Sequence, residues 1–279
     1  MKPAPFEYVT ATSVAEATRL LTDAAGDGKI IAGGQSLIPV LALRMSRPAV
    51  LVDINRVPGL GAITPLDGGR TIRLGALVRH SRLLEQPHHG LLAQAARWIG
   101  HTAIRSRGTS GGSIAHADPS AELPVVAAAV DATIHVAGPG GVRRQSAREF
   151  FTGPLETTLA EDELIIAVDM PVPERWGFAE LCRRHGDFGL VTVAAAEVEG
   201  RWSICVGGVG SVPYRDAEAE DLMNGGAPDA VARAAAAVAA GIDPSDDIHA
   251  SAAYRRAMTE EFTRRALLQA TAGPAKGAS

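Results

Sequence analysis

The amino-acid sequence predicts an α+β fold of three subdomains, and three observations carry this prediction. Strand and helix patterns alternate at the start of the chain and mix in its middle, and three successive strands followed by helices occupy its last part. The predicted boundaries give subdomains 1–58, 59–172 and 173–279. Aromatic residues form only 4% of a chain that is 46% hydrophobic, so we expect a core of small aliphatic side chains.

The first subdomain has the alternation typical of an α/β unit. Ser13 and Glu16 form a capping-box pattern, and the apolar residues after them recur on one helical face. The further predicted elements are a strand over 29–32, a helix over 37–43 and a strand over 49–54. Pro58 interrupts the pattern and places the end of this unit near residue 58.

The middle subdomain combines both element types. Residues 71–75 alternate apolar and polar side chains, as a half-exposed strand does. The other predicted elements are helices over 91–99 and 123–130 and strands over 132–136 and 164–168. Residues 105–113 have no hydrophobic period and predict a loop, which runs into strand-like Ile114 and Ala115.

The last subdomain is predicted to be an antiparallel sheet with helices behind it. The predicted strands cover 177–183, 191–199 and 201–207, with Gly200 in the tight turn between the last two. Two helices are predicted after them, over 230–240 and 252–270.

Composition excludes several classes of protein. With 27 basic and 31 acidic residues the net charge is −4, which argues against a nucleic-acid-binding surface. Two cysteines cannot form a framework of several disulfides or supply four thiolates to an iron–sulfur cluster. No apolar stretch predicts a membrane span or a secretory signal, so we expect a cytoplasmic protein.

The first of two glycine-rich segments is Gly33-Gly34, which follows a strand and precedes a helix. Glycine permits positive φ and close approach of the backbone. Successive main-chain N–H groups, the positive end of the next helix and the hydroxyl of Ser36 can then bind a phosphate. The same residues are also compatible with a plain strand-to-helix turn, and this segment alone does not decide between the two.

The second segment, residues 109–113, places a glycine pair between hydroxyl residues again. Two such segments from distant parts of a chain can hold the two phosphates of one dinucleotide. Main-chain amides can neutralise such an anion without lysine, which fits a sequence whose only lysines are Lys2, Lys29 and Lys276.

Other well-known motifs are absent from the sequence. It contains no G-x-x-x-x-G-K-[ST] phosphate loop, no G-x-G-x-x-G dinucleotide fingerprint and no H-E-x-x-H zinc helix. Residues 111–115 differ from a nucleophile elbow because Ala115 stands where the second glycine belongs. We therefore predict no catalytic and no metal-ligating residue in this chain.

At this point the sequence resembles a known family. The stretches 32–37 (AGGQSL) and 104–124 (IRSRGTSGGSIAHADPSAELP), together with 52–55, 163–166 and 183–188, resemble the FAD-binding medium subunit of the molybdenum hydroxylases. This family includes subunits of the xanthine dehydrogenase and carbon monoxide dehydrogenase types. The resemblance covers nearly the whole chain and implies the FAD-binding fold of vanillyl-alcohol-oxidase-like flavoproteins.

The resemblance also implies which residues contact FAD. One side of the pyrophosphate would be held by Ile31, Ala32, Gly33, Gly34, Gln35, Ser36 and Leu37, and the other by Thr109, Ser110, Gly111, Gly112 and Ser113. Asp118 and Glu122 would lie near the nucleotide half, the backbone of Ile165 near the adenine, and Phe188 near the flavin ring. Simpler interpretations stay open: Asp118 before Pro119 suits a helix N-cap, and Ile165 and Phe188 suit a core.

The function implied by the resemblance is electron transfer within a complex. FAD would pass electrons from [2Fe–2S] clusters of a small partner subunit to an external acceptor, and substrate would be oxidised on a molybdopterin-binding large subunit. The alternatives are a free-standing FAD-dependent oxidoreductase of the same fold and a non-catalytic phosphate-binding module. A valine at Gly33 or Gly112 is expected to leave the chain soluble but free of flavin.

Overall fold

Three parallel strands form the first sheet of the protein, whose computed structural model describes residues 2–272. The elements in chain order are β1 (Glu7–Thr10), α1 (Val14–Asp23), β2 (Gly28–Ile31), α2 (Leu37–Ala42) and β3 (Val50–Asp53). The strand order is β1-β3-β2, so the carboxyl ends of β2 and β3 lie side by side. The Ser13 side chain accepts a hydrogen bond from the Glu16 N–H at 3.1 Å, and this confirms the predicted start of α1.

The second sheet is antiparallel and has five strands in the order β4-β5-β10-β6-β7. The strands of this region are β4 (Ile63–Leu66), β5 (Thr71–Gly75), β6 (Thr133–Gly138), β7 (Gly141–Ser146), β8 (Phe151–Gly153), β9 (Glu156–Thr157) and β10 (Leu164–Pro171). The helices are α3 (His80–Leu83), α4 (Gly90–Ala96), α5 (Thr102–Arg105), α6 (Ser110–His116), α7 (Glu122–Ala129) and α8 (Ala147–Phe150).

The predicted loop over 105–113 is correct only for residues 106–109, and the predicted strand at Ile114 and Ala115 is wrong. Arg105 ends α5, and residues 110–116 form α6, a short helix rich in Gly and Ser whose sequence has no hydrophobic period to reveal it. Ile114 is buried and anchors α6 on the core. Thr109 ends the preceding turn as the N-cap of α6.

The third sheet is antiparallel, as predicted. Its strands are β11 (Arg175–Leu181), β12 (Val191–Val198), β13 (Arg201–Gly207) and β14 (Tyr214–Arg215), and its helices are α9 (Ala217–Gly225), α10 (Ala230–Gly241) and α11 (Ala252–Ala272). Gly200 has φ +72° in the turn between β12 and β13, and a side chain there would be strained. Only α10 and α11 were expected from the sequence; α9 is too polar to show a clear apolar face.

Helix α7 joins the second and third sheets. All eight of its residues are buried, because it packs against α4 on one side and against β12 and β13 on the other. Arg215 of β14 adds polar contacts across the same boundary, donating to the carbonyl of Ala128 at 3.0 Å and to Asp131 at 2.8 Å. The boundaries predicted near 58 and 172 fall between sheets and remain predictions.

No helix within residues 2–272 is both long enough and apolar enough to cross a lipid bilayer.

Candidate functional site

The first glycine segment leaves the carboxyl end of β2 and leads into α2. Gly34 has φ +73°, a left-handed conformation that strains any residue with a Cβ. Gly33 is buried, whereas Gln35 and Ser36 are exposed. Ser36 is the N-cap of α2 and makes no capping hydrogen bond with its side chain.

The main-chain N–H groups of this segment are available to a ligand. Within residues 2–272, the N–H groups of Gly33, Gly34, Gln35 and Ser36 donate to no acceptor, although the Gly34 carbonyl accepts from Ile38 at 3.0 Å. Successive free N–H groups around a left-handed glycine form a concave anion site. The predicted phosphate cradle is therefore sterically and electrostatically feasible at the first glycine pair.

The second glycine segment uses its N–H groups differently. Each of the four donors at 110–113 is already bonded within the chain: Ser110 to Val78 O at 2.9 Å, Gly111 to Ala76 O at 2.9 Å, Gly112 to Thr109 Oγ1 at 3.1 Å and Ser113 to Thr109 O at 3.0 Å. The expectation that these amides form a second cradle does not match this hydrogen bonding. The segment can offer hydroxyl groups and a smooth surface instead.

Gly112 supplies that smooth surface. A Cβ built there would meet only the side chain of Thr109, whose Oγ1 would lie 2.7 Å away. A Cβ at the neighbouring Gly111 would run into the backbone of Ala76 at 2.8 Å. Gly111 is therefore needed for packing of α6, whereas the half-buried Gly112 faces outwards, where a ligand could approach.

The two glycine segments meet. A Cβ at Gly33 would collide with the carbonyl oxygen of Arg107 and come within 2.9 Å of the Cα of Gly108, one residue before Thr109. Gly33 thus contacts the backbone of Arg107, which lies 74 positions later in the sequence. The two segments meet in the structure, at Gly33 and the turn that precedes Thr109.

The side chain of Arg79 connects the two segments through hydrogen bonds. Its guanidinium donates to Asn55 Oδ1 at 2.6 Å and to the carbonyl of Arg107. Asn55 in turn donates to the carbonyl of Ala32 at 2.9 Å. Burial and the nearby charge of Arg107 lower the pKa of Arg79. The network links the end of β3, the first glycine segment and the turn before α6.

Ile165, a predicted contact of the adenine, lies near the second glycine segment. Ile165 is buried in β10 and pairs with Val136 at a register shift. The next residue, Ile166, accepts a hydrogen bond from the N–H of Ala76 at 3.0 Å, and Ala76 accepts one from Gly111. Ile165 thus lies close, along the backbone, to the second glycine pair.

Asp118 is not a helix N-cap. Its Oδ1 accepts a hydrogen bond from the Ser120 N–H at 2.8 Å in a local turn, and Ala121 is the N-cap of α7. Pro119 separates Asp118 from the helix, and the carbonyl of Asp118 accepts from Ala121 at 3.0 Å instead. The alternative role that the sequence suggested for this residue is therefore wrong.

Glu122 begins α7 and is buried, close to a second buried carboxyl, Glu180 of β11. Burial raises the pKa of both groups, and the charge of Asp118 raises that of Glu122 further, while the charge of Glu122 raises that of Glu180. Both oxygens of Glu180 are buried without a hydrogen-bond partner in residues 2–272. Both carboxyls therefore hold a proton more readily than an exposed glutamate does.

Phe188 lies on the loop between β11 and β12 and is 68% exposed. The same loop contacts the middle subdomain: a Cβ at Gly186 would lie 2.7 Å from the ring of His101, and the ring of His185 packs edge-on against Trp98 with centroids 5.2 Å apart. The loop is therefore anchored immediately before α5, and the exposed ring of Phe188 is not part of the core.

Sequence reasoning gave no role to Arg79, Asn55 or His80. Asn55 follows a buried parallel strand at the sheet edge where Gly33 also lies, and this position could have indicated it. No local signal marks Arg79, because its role depends on Arg107, 28 residues away. His80 is buried beneath α6 and hydrogen bonded to Ser113.

Comparison with known proteins decides the family. Residues 4–173 match the family model described as "FAD binding domain in molybdopterin dehydrogenase", and residues 176–270 match the "CO dehydrogenase flavoprotein C-terminal domain". The chain belongs to the FAD-binding medium subunits of the molybdenum hydroxylase family. The family, the α+β fold class and the FAD cofactor predicted from the sequence are thereby confirmed.

Relatives and solved structures extend over the whole chain. It is 43% identical to the 6-hydroxypseudooxynicotine dehydrogenase complex subunit alpha of Paenarthrobacter nicotinovorans over 97% of this chain and 96% of that protein. It is 34% identical to the carbon monoxide dehydrogenase medium chain of Hydrogenophaga pseudoflava, covering 96% and 97% of the two chains. A chain of quinoline 2-oxidoreductase from Pseudomonas putida 86 superposes with a TM-score of 0.91 and 36% identity, covering 98% and 99%. The protein is an oxidoreductase subunit.

Proposed function

We propose that the free N–H groups of Gly33 to Ser36 bind the diphosphate of FAD, with Thr109, Gly112 and Ser113 forming the opposite wall. The observation that carries this proposal is the backbone contact between Gly33 and the turn before Thr109. It brings N–H groups that are unpaired within residues 2–272 close to the segment that carries Gly112 and the half-buried hydroxyl of Ser113. Nucleotide-half contacts are assigned to Asp118, Glu122 and the backbone of Ile165, and a flavin-ring contact to Phe188.

The proposed reaction is electron transfer between subunits. FAD, when bound, supplies one- and two-electron redox chemistry, and the protein's part is to bind and orient it. Electrons would come from [2Fe–2S] clusters of a small partner subunit and leave to an external acceptor. Substrate would be oxidised on a molybdopterin-binding large subunit.

The cysteines support a separate iron–sulfur subunit. The sequence contains two of them, fewer than the four thiolates of a [2Fe–2S] site. Cys205 is completely buried, and burial raises the pKa of its thiol to about 12. Burial also raises the pKa of the half-buried Cys182. Two thiols are too few for a cluster held by four thiolates of this chain, so the proposal places the clusters on another chain.

The names of relatives support a separate substrate-oxidising subunit. Proteins similar to this chain over most of its length are named for a nicotine derivative, caffeine, glyceraldehyde and carbon monoxide. Such different molecules would not be accommodated by one type of pocket. The medium subunits share a fold because they share a cofactor, and we infer that substrate choice belongs to the large partner.

Cofactor content tests the binding part of the proposal. The full chain, purified alone and saturated with FAD, is expected to bind one FAD per chain, measured from flavin absorbance after removal of free cofactor. A chain that binds none, although its circular dichroism shows a folded protein, would contradict the proposal.

Flavin reduction in the presence and absence of partners tests the electron-transfer part. The isolated FAD-loaded chain is expected to be bleached by dithionite but by no organic substrate, whereas the complex with both partner subunits should be bleached by its substrate. Substrate-driven bleaching of the isolated chain would instead identify a free-standing oxidoreductase.

A further inference from the structure

His80 is a buried residue directly beneath the second glycine segment. It is 4% exposed at the start of α3, and its main-chain N–H donates to the carbonyl of Gly108 at 3.1 Å. A Cβ at Gly108 would lie 2.7 Å from its Nδ1, so the ring is packed against the turn that leads into α6. No role in cofactor binding follows for His80 from the glycine motifs themselves.

The ring has one polar contact and one unpaired nitrogen. Nε2 lies 3.2 Å from Ser113 Oγ, and Nδ1 has no hydrogen-bond partner in residues 2–272. The pKa of His80 is lowered to about 4, mainly by burial and to a smaller extent by the charges of Arg105 and Arg79, while the nearby backbone of Thr109 acts in the opposite direction. The ring is therefore neutral near pH 7 and carries its single proton on one of the two nitrogens.

The hydroxyl groups of the segment are not equally free to donate. Ser110 Oγ donates to the carbonyl of Gly75 at 2.9 Å in the buried interior. Thr109 Oγ1 is held in place by accepting from Gly112. Ser113 is half-buried on the outer side of α6, and its only side-chain partner in the described chain is His80.

The His80 tautomer decides what Ser113 can do. If Nε2 lacks the proton, the serine must donate to it and can only accept from a ligand, which an anionic phosphate cannot satisfy. If Nε2 carries the proton, His80 donates to Ser113 Oγ and the serine proton is free to point outwards. Nδ1 is unpaired in either case, so it does not distinguish the two tautomers.

We propose that His80 is a positioning residue, held as the Nε2–H tautomer, which orients the Ser113 hydroxyl as a hydrogen-bond donor to the diphosphate of FAD. This inference rests on the proposed cofactor site and adds a donor to the wall whose main-chain amides are already used. The proposal also explains why the histidine is neutral. A neutral ring can donate from Nε2 to Ser113 Oγ and orient the hydroxyl without adding a charge to the site.

A matched pair of variants tests the proposal. The amide nitrogen of His80→Gln can reach the Nε2 position, whereas that of His80→Asn reaches only the Nδ1 position. In the full chain, His80→Gln should bind FAD within about threefold of wild type, and His80→Asn and Ser113→Ala should each weaken binding by about tenfold to hundredfold, the loss for one hydrogen bond to a charged group. The double variant should be no weaker than Ser113→Ala.

A spectroscopic measurement on the unaltered chain completes the test. The ¹⁵N chemical shifts of the His80 ring, assigned by their loss in His80→Gln, should show a neutral ring protonated at Nε2 when FAD is bound. A ring protonated at Nδ1, or wild-type FAD affinity in a folded His80→Asn, would overturn the proposal. Failure of wild type itself to bind FAD would overturn the cofactor site rather than the role of His80.

Discussion

The two glycine pairs have nearly the same sequence chemistry and different structural uses. At Gly33-Gly34 the backbone is irregular, one residue is left-handed, and four consecutive N–H groups donate to no acceptor among residues 2–272. At Gly111-Gly112 the backbone is helical and every N–H is bonded inside the chain. In the first segment glycine allows a left-handed backbone that leaves N–H groups available as donors. In the second segment it allows close packing against Ala76.

This difference follows from hydrogen-bond accounting. A glycine-rich stretch can present its amides to a ligand only if no carbonyl of the fold already accepts from them. The first segment follows an edge strand, and within residues 2–272 its N–H groups meet no acceptor. In the second segment the carbonyls of Ala76 and Val78 accept two of the four N–H groups, and Thr109 accepts the other two. Similar motifs in other sequences should be judged by this question before both are assigned to a phosphate.

The largest expected effect is that of Gly33→Val. Because the new side chain would collide with the backbone of Arg107, we expect the unfolding free energy to fall by about 1–3 kcal/mol and FAD binding to be lost. Chemical denaturation and flavin content measure the two effects. The sequence alone predicted a soluble, flavin-free variant; unaltered stability with lost flavin would restore that simpler interpretation.

Arg79→Ala should weaken the contact between the two segments, with a smaller effect than Gly33→Val. It removes the hydrogen bonds to Asn55 and to the Arg107 carbonyl, and we expect a loss of about 1–3 kcal/mol in stability together with weaker FAD binding. Thermal unfolding and FAD titration measure these changes. Arg97→Ala is the matched control, since Arg97 is exposed and its side chain makes no hydrogen bond within residues 2–272; equal effects in both variants would refute a bridging role.

Gly112→Ala should affect binding without affecting the fold. The added methyl meets only Thr109, and alanine favours the helix, so we expect the unfolding free energy to change by less than about 1 kcal/mol. FAD affinity should fall by at least about tenfold, because the methyl occupies the surface that faces the cofactor. Gly140→Ala, in an open turn, is the control, and wild-type affinity in Gly112→Ala would place the cofactor elsewhere.

The last expected effect concerns how stability depends on pH through the buried carboxyl pair, Glu122 and Glu180. Burial and the neighbouring Glu122 raise the pKa of Glu180, so the folded chain binds more protons than the unfolded chain above the ordinary glutamate pKa. The contribution of Glu180 to the unfolding free energy is therefore fully present at low pH. It falls as the pH rises above the ordinary glutamate pKa, by up to about 1.4 kcal/mol per pH unit. Glu180→Gln should flatten this fall, which melting temperatures at pH 5.5 and pH 8 would show; an equal fall in both proteins would contradict it.

The sequence predicted most elements with clear periodicity and missed those without it. The capping box of Ser13 and the three strands before Gly207 were found because their patterns are local. Helix α6 was missed because its small residues carry no hydrophobic period, and the role of Arg79 because it depends on distant partners. Motifs thus marked the two glycine segments to which we assign FAD binding, whereas the state of each N–H group depended on contacts made only in three dimensions.

The contact at Gly33 has a consequence for the order of folding and flavin binding during synthesis. Neither sheet region contains the whole of the proposed FAD site, since the first carries the N–H groups of Gly33 to Ser36 and the second the facing wall. If FAD binds there, a newly made chain becomes yellow only after these two parts have docked, and flavin uptake during synthesis would report when that contact forms.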